Sequence, residues 1–166
     1  SGSSISIGES GDTINLAGSA YAVAANTPMF IASANVEFAV GTSLTKIIVA
    51  EVIDTDNAYD ASTGRFTVPS GKAGKYYFSF QGTHRSTSND QTGSGFAFYK
   101  NGSSNPYEFS NSNFTGHRND TRMYNYMYDL SVGDYIEAYA YVTGSATTSI
   151  ERPVFLGYKL ITWAVK

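Results

Sequence analysis

The chain has 166 residues, 42% of them hydrophobic, 14% aromatic and only 15% charged, with a formal net charge of −3 and no cysteine. That length supports one domain with a real core rather than two, and the charge leaves no basic stripe to neutralise phosphates, which excludes nucleic acid as a main partner. No apolar run approaches the ~18 residues of a membrane span, so no membrane insertion is expected, and the missing cysteines remove disulfides and thiolate metal sites together.

Frequent Tyr, Phe and Gly, without sustained apolar spacing of three and four, predict strands and tight turns and almost no helix. A protein assembled in a reducing cytosol and released by lysis has no need of disulfides. The chain opens on Ser1 without a signal-peptide pattern, and Ser1 is either the true start or a point inside a longer fibre.

Residues 1–28 read differently from the rest. Ile5 and Ile7, then Ile14 and Leu16, alternate with polar residues on either side of Gly8–Asp12, the pattern of two very short strands joined by a turn. Such a pair cannot stay folded alone, but three copies wrapped about one axis would share a narrow isoleucine core. Small residues such as Gly18, Ser19 and Ala20 then fit a bendable neck. SISIGESGDTINLAGSA resembles stalk segments of phage tail and head fibres; the alternative is a flexible polar tail or linker.

Residues 29–166 are expected to form the globular head. Strands are predicted over 29–40, 46–53, 65–69, 75–84, 95–101, 106–115, 121–130, 134–143 and 153–164, bounded by clusters of Gly, Ser, Asn, Asp and Pro. Short strands at that spacing imply a sandwich. Period two puts Tyr76, Phe78 and Phe80 on a core face opposite Tyr77, Ser79 and Gln81. It likewise puts Ile136, Ala138, Ala140 and Val142 inward, with Tyr135, Glu137, Tyr139 and Tyr141 outward.

Four groups of residues stand in a telling order. Tyr59, Asp60, Gly64, Phe66, Pro69, Gly74, Tyr76 and Phe78 make a Y-D-x-x-T-G-x-F pattern followed by G-x-Y-x-F. Lys100-Asn101-Gly102 and Gly133-Asp134 read as tight turns, and Phe155-x-Gly157-x-x-Leu160 closes the series. Together, over roughly residues 29 to 163, they resemble the globular head of complement C1q, which is structurally related to tumour necrosis factor. Two departures are the extra Gly71-Lys72-Ala73 before Gly74 and the absence of the cysteines common in vertebrate members.

The resemblance implies an all-β antiparallel jelly-roll sandwich, a homotrimer with both termini beside the stalk, and a binding head rather than an enzyme. It places Tyr126, Tyr128 and Leu130 on the core side of their strand, leaving Asn125, Met127 and Asp129 outward. A row of tyrosines including Tyr124 can also act as a carbohydrate platform.

The last strand is apolar on both faces: Val154, Leu156, Tyr158 and Leu160 on one, Phe155, Ile161, Trp163 and Val165 on the other. A strand of that kind must be covered twice, and a neighbouring subunit is the simplest second cover. The expected trimer interface is therefore Phe155, Ile161 and Trp163 with Met127, Tyr139 and Tyr141. The competing cover is the stalk folding back.

Successive loops of an antiparallel sandwich alternate between its ends, so the 84–94, 115–121 and 143–152 loops should gather opposite the C-terminus, at the apex of a trimer. Expected receptor contacts there are His84, Arg85, Asn89, Asp90, His117, Arg118, Asn119, Asp120, Thr147 and Thr148. The plainer reading is that these are soluble turns. Some members of the resembled family bind calcium near the apex, which draws attention to Asp90 and Asp120, but no D-x-D-x-D loop exists and neither metal nor cofactor is expected. No G-x-S-x-G turn fixes a nucleophile, and Glu37, Glu51, Glu108, Glu137 and Glu151 lack motif context, so no catalytic residue is assigned.

The sequence thus reads as the head of a viral, most simply phage, fibre that attaches to a host-surface receptor such as a glycan, with other virion proteins held through the stalk. Three weak sites per head would gain strength by multivalency. Alternatives are a capsid decoration protein, or a bacterial surface or spore-coat head of the same fold.

Overall fold

The computed structural model describes residues 26–160, with side chains described there except at 105–115. The stalk pattern around Ile5 to Leu16, most of the neck, and Ile161 and Trp163 lie outside the described residues.

The described residues form twelve strands and no helix: β1 (Met29–Ser33), β2 (Glu37–Ala39), β3 (Thr45–Lys46), β4 (Ala50–Asp54), β5 (Tyr59–Asp60), β6 (Arg65–Thr67), β7 (Gly74–Ser86), β8 (Gln91–Lys100), β9 (Ser103–His117), β10 (Asn119–Leu130), β11 (Tyr135–Thr143) and β12 (Thr148–Lys159). They make two antiparallel sheets. The first runs β10-β7-β12-β1-β4, with β2 also on β12; the second runs β5-β6-β11-β8-β9, with β3 also on β11. The predicted 29–40 and 46–53 strands are each broken in two, and β7 extends to Ser86, past the expected end at 84.

The core between the sheets is built of rings. Tyr76, Phe78 and Phe80 of β7 are fully buried, as their alternation requires, and meet Phe30, Phe66, Phe96, Phe98 and Phe155. Phe30 stacks on Tyr59 at 4.9 Å and on Phe66 at 5.2 Å, and takes Phe155 edge-on at 4.9 Å. Ile136, Ala138, Ala140 and Val142 of β11 face this core with no exposed surface. Tyr128 and Leu130 are buried in β10, Tyr124 and Tyr126 pack on the core, and Asn125, Met127 and Asp129 are exposed.

The motif residues hold the frame together. Tyr59 donates its hydroxyl to the Val49 carbonyl at 2.9 Å, while the Asp60 carboxylate accepts from the Ser62 amide (2.8 Å) and the Ser62 and Thr63 hydroxyls. Gly64 closes that turn at φ 68°, and a Cβ there would stand 3.2 Å from the Ile47 carbonyl oxygen. The two later turns dock on each other: Asn101 donates to Asp134 at 2.8 Å and accepts from the Tyr135 amide at 2.9 Å. The added Lys72 reaches Asp56 at 2.9 Å, so the longer break before Gly74 is tied down.

The closing strand corrects the expected interface. β12 carries a bulge between Glu151 and Val154, so Ile150 faces the core before it and Phe155 after it. Phe155 is completely buried in the core, not on an outer face, and Val154, Leu156, Tyr158 and Leu160 are the half-buried outward residues. Gly157 explains the inversion. A Cβ on it would lie 2.5 Å from the Phe78 ring and 2.9 Å from the Phe30 ring, so two aromatic side chains fill the place of its missing one.

Gly157→Ala is therefore expected to cost about 3 kcal/mol, through displaced rings rather than backbone strain. Phe155→Ala should cost about 3–5 kcal/mol. Urea unfolding checks both; a Gly157→Ala effect within ~0.5 kcal/mol of wild type contradicts the packing described.

Candidate functional site

Three turns meet at the end of the sandwich opposite the point where the chain enters at Met29 and leaves at Lys159, as alternation predicts. Residues 87–90 join β7 to β8, Arg118 joins β9 to β10, and 144–147 join β11 to β12. Backbone bonds couple them: the Ser86 amide donates to the Arg118 carbonyl at 2.8 Å and the Thr87 amide to the Thr147 carbonyl at 3.0 Å. The buried Gln91 amide adds bonds to the carbonyls of His84 and Arg118, both at 3.3 Å.

Asp90 is the hub. One carboxylate oxygen accepts from the Ser86 hydroxyl; the other accepts from the Ser145 amide (2.7 Å), the Ser145 hydroxyl (2.7 Å) and the Ala146 amide (2.6 Å). The Ser86 bond and then the Ser145 bond hold its carboxyl well below the usual carboxylate range. The turns are thereby fixed in shape.

The expected contact residues divide into groups. Asn89, His117, Arg118, Asn119 and Thr147 are exposed at this end. Asp90 is half-buried and spent on the turns. Asp120 is also half-buried, paired with Arg122 and accepting from Ser94 at 3.4 Å. Arg85 stands beside the loops on the outer face of the first sheet, between Glu37 and Glu151. Among the described residues no three His, Asp or Glu side chains converge as metal ligands would.

Two expected contacts are corrected. Thr148 is buried and its hydroxyl donates to the Val40 carbonyl. His84 has no exposed surface, because β7 continues through it and period two carries it inward after Tyr76, Phe78, Phe80 and Gly82. Its ring packs on Phe96 at 4.3 Å, and Nε2 lies 3.2 Å from the Gly95 carbonyl. Burial pushes its imidazole down to about 4, against the pull of the Gly95 carbonyl.

The second candidate surface is the outer face of the first sheet. Cross-strand register lines up Met127, Tyr77, Tyr158 and Met29, and beside them Asn125, Ser79, Leu156, Ile31 and Ile53. Met127 is 65% exposed, Met123 58% and Ile53 43%. All three methionines of the chain lie on this face. Towards the loop end the face turns polar, at Arg85, Glu37 and Glu151. Tyr139 and Tyr141 lie on the outer face of the second sheet, across the sandwich from Met127.

No protein-family model matches the chain, and no curated protein matches it. Among solved structures, the globular domain of zebrafish complement 1qA is similar over 82% of this chain and 100% of its own, with a TM-score of 0.59 and 16% identity. The fold is therefore similar to that of a complement C1q globular domain: all-β, with two antiparallel sheets.

The depressed His84 binds its proton more readily unfolded than folded, so its contribution to stability is present at neutral pH and lost as pH falls from about 6.5 towards 4. Between pH 6 and 5 the wild type should lose about 1 kcal/mol more than a His84→Gln variant, read from denaturant midpoints at each pH. Parallel curves would show that this imidazole is not held neutral.

Proposed function

We propose that the chain is the non-enzymatic head of a viral fibre, most simply a phage fibre, assembled as a homotrimer and attaching to a host-surface receptor through its loop end. The observation that carries this reading is the apolar row Met127–Tyr77–Tyr158–Met29 with Leu156 and Ile31 beside it, half-buried or exposed on the outer face of the first sheet. Apolar surface of that continuity costs free energy in water and is recovered by packing on another chain. Copies of the same chain are the simplest cover, and Met29 and Lys159 lie together at one end of each.

The opposite end supplies the adhesive surface. Asn89, His117, Arg118, Asn119, Ser145 and Thr147 present hydrogen-bonding groups on turns stiffened by Asp90, so little ordering entropy is lost when a polar target such as a glycan binds. Single sites of this kind are weak, and three on one head gain by effective concentration. Residues 1–28 would form the stalk that holds other virion proteins.

Two substitutions separate assembly from recognition. Leu156→Lys should leave a folded but monomeric head by sedimentation velocity, with attachment to host cells reduced about a hundredfold. Alanine at Asn89, Arg118, Asn119 and Thr147 together should leave the trimer intact and abolish attachment. Undiminished binding by the second variant would place recognition elsewhere; binding to assembled shells alone, indifferent to cells, would favour a capsid decoration protein.

A further inference from the structure

The outer face of the second sheet carries a cluster that apical attachment does not use. Alternation turns Tyr135, Glu137, Tyr139 and Tyr141 of β11 outward, and a glutamate on an outer face is ordinarily hydrated. Glu137 is not: its side chain is 4% exposed. Its Oε1 accepts from Lys46 Nζ of β3 at 3.2 Å and from Arg65 Nη2 and Nε of β6 at 2.9 and 3.1 Å, and its Oε2 accepts from the Tyr139 hydroxyl at 3.3 Å. Burial alone would raise this carboxyl, but Arg65 and Lys46 hold it below the ordinary range, so it stays charged.

One carboxylate thus faces two cations on a chain whose net charge is −3, and Asp60, opposite Arg65 in the strand register, is bonded by Ser62 and Thr63. Glu137 uses only part of the donor capacity of either cation, and both are part-exposed, Arg65 at 38% and Lys46 at 29%. Aromatic rings surround them. Arg65 lies 3.7 Å over the Tyr135 ring, and Tyr139 stacks on Tyr99 at 3.9 Å. Half-buried tyrosines beside stiffly held cations match a pyranose that bears an anionic group: the rings take its C–H face, and the remaining N–H donors take its charge.

We propose that this face, on β3, β6, β8 and β11, is a lateral seat for an acidic sugar residue carrying a carboxylate or a sulfate. It is separate from the apical loops, on strands of the second sheet rather than on the turns that join the strands. Because the positive charge is local and partly exposed, binding weakens with added salt.

The test is calorimetric titration of the full chain at low salt with polygalacturonate, dextran sulfate and neutral dextran. Binding of polygalacturonate alone assigns a uronate, of dextran sulfate a sulfated sugar; dextran should not bind. Lys46→Gln should weaken the binding about tenfold, Lys46→Arg should restore most of it, Tyr139→Phe should keep it, and Arg118→Ala should leave it unchanged. Thermal unfolding establishes that each variant is folded. The proposal is overturned if neither charged polymer binds, if Lys46→Gln binds as tightly as wild type, or if Arg118→Ala is the variant that loses binding. In that last case the anion sits on the apical loops, and apical attachment survives without the lateral seat.

Discussion

Gly157 is the residue on which the outside of the sandwich depends, because the rings of Phe78 and Phe30 occupy the space a side chain there would need. With those rings in place Phe155 must lie among them, and alternation then forces Leu156 and Tyr158 outward. Register does the rest. It sets Tyr158 between Tyr77 and Met29, and Leu156 between Ser79 and Ile31, so a packing requirement of the interior writes an apolar stripe across the exterior. Interior close packing leaves no room for the opposite choice.

The two ends of the head are stiffened by the same device, a carboxylate that accepts several bonds from neighbouring turns. At the end where the chain enters and leaves, Asp134 is bonded by Asn101, the Ser131 amide and Lys100, and those bonds bring its carboxyl down to about 2. At the other end Asp90 does this for the three connecting turns. A depressed carboxylate stabilises above the ordinary carboxylate range and loses that effect only as pH falls below it, whereas buried His84 begins to count against folding at milder acidity. Both act in one direction, towards a head that is firmest near neutrality.

Much of this frame is legible in the residues. Glycine, asparagine and aspartate mark the turns, and period two in β7 and β11, with the family resemblance choosing the face of β10, tells inward from outward residues, since those strands run without interruption. The reading fails where alternation alone does not decide. Beyond the bulge of β12 both faces are apolar, so alternation does not choose between them, and glycine gives no apolar signal although Gly157 belongs to the core. His84 was readable in principle, as the next even position after Phe80 and Gly82, but polar residues at a strand end pass for loop. The Lys46–Arg65–Glu137 cluster was not readable at all: its members come from β3, β6 and β11, and Glu137 by itself is an ordinary surface glutamate. Contacts between strands distant in sequence leave no local pattern.

In the proposed assembly, copies of the chain pack through the stripe of Met127, Tyr158 and Leu156. Peroxide oxidation of Met127, followed residue by residue by mass spectrometry on the native full chain, tests it most directly, since in a lone chain that side chain stands 65% exposed. Packing of copies through this face predicts oxidation at least about tenfold slower than in the denatured chain. Oxidation as fast as in the denatured chain, in a sample that remains folded, would contradict it.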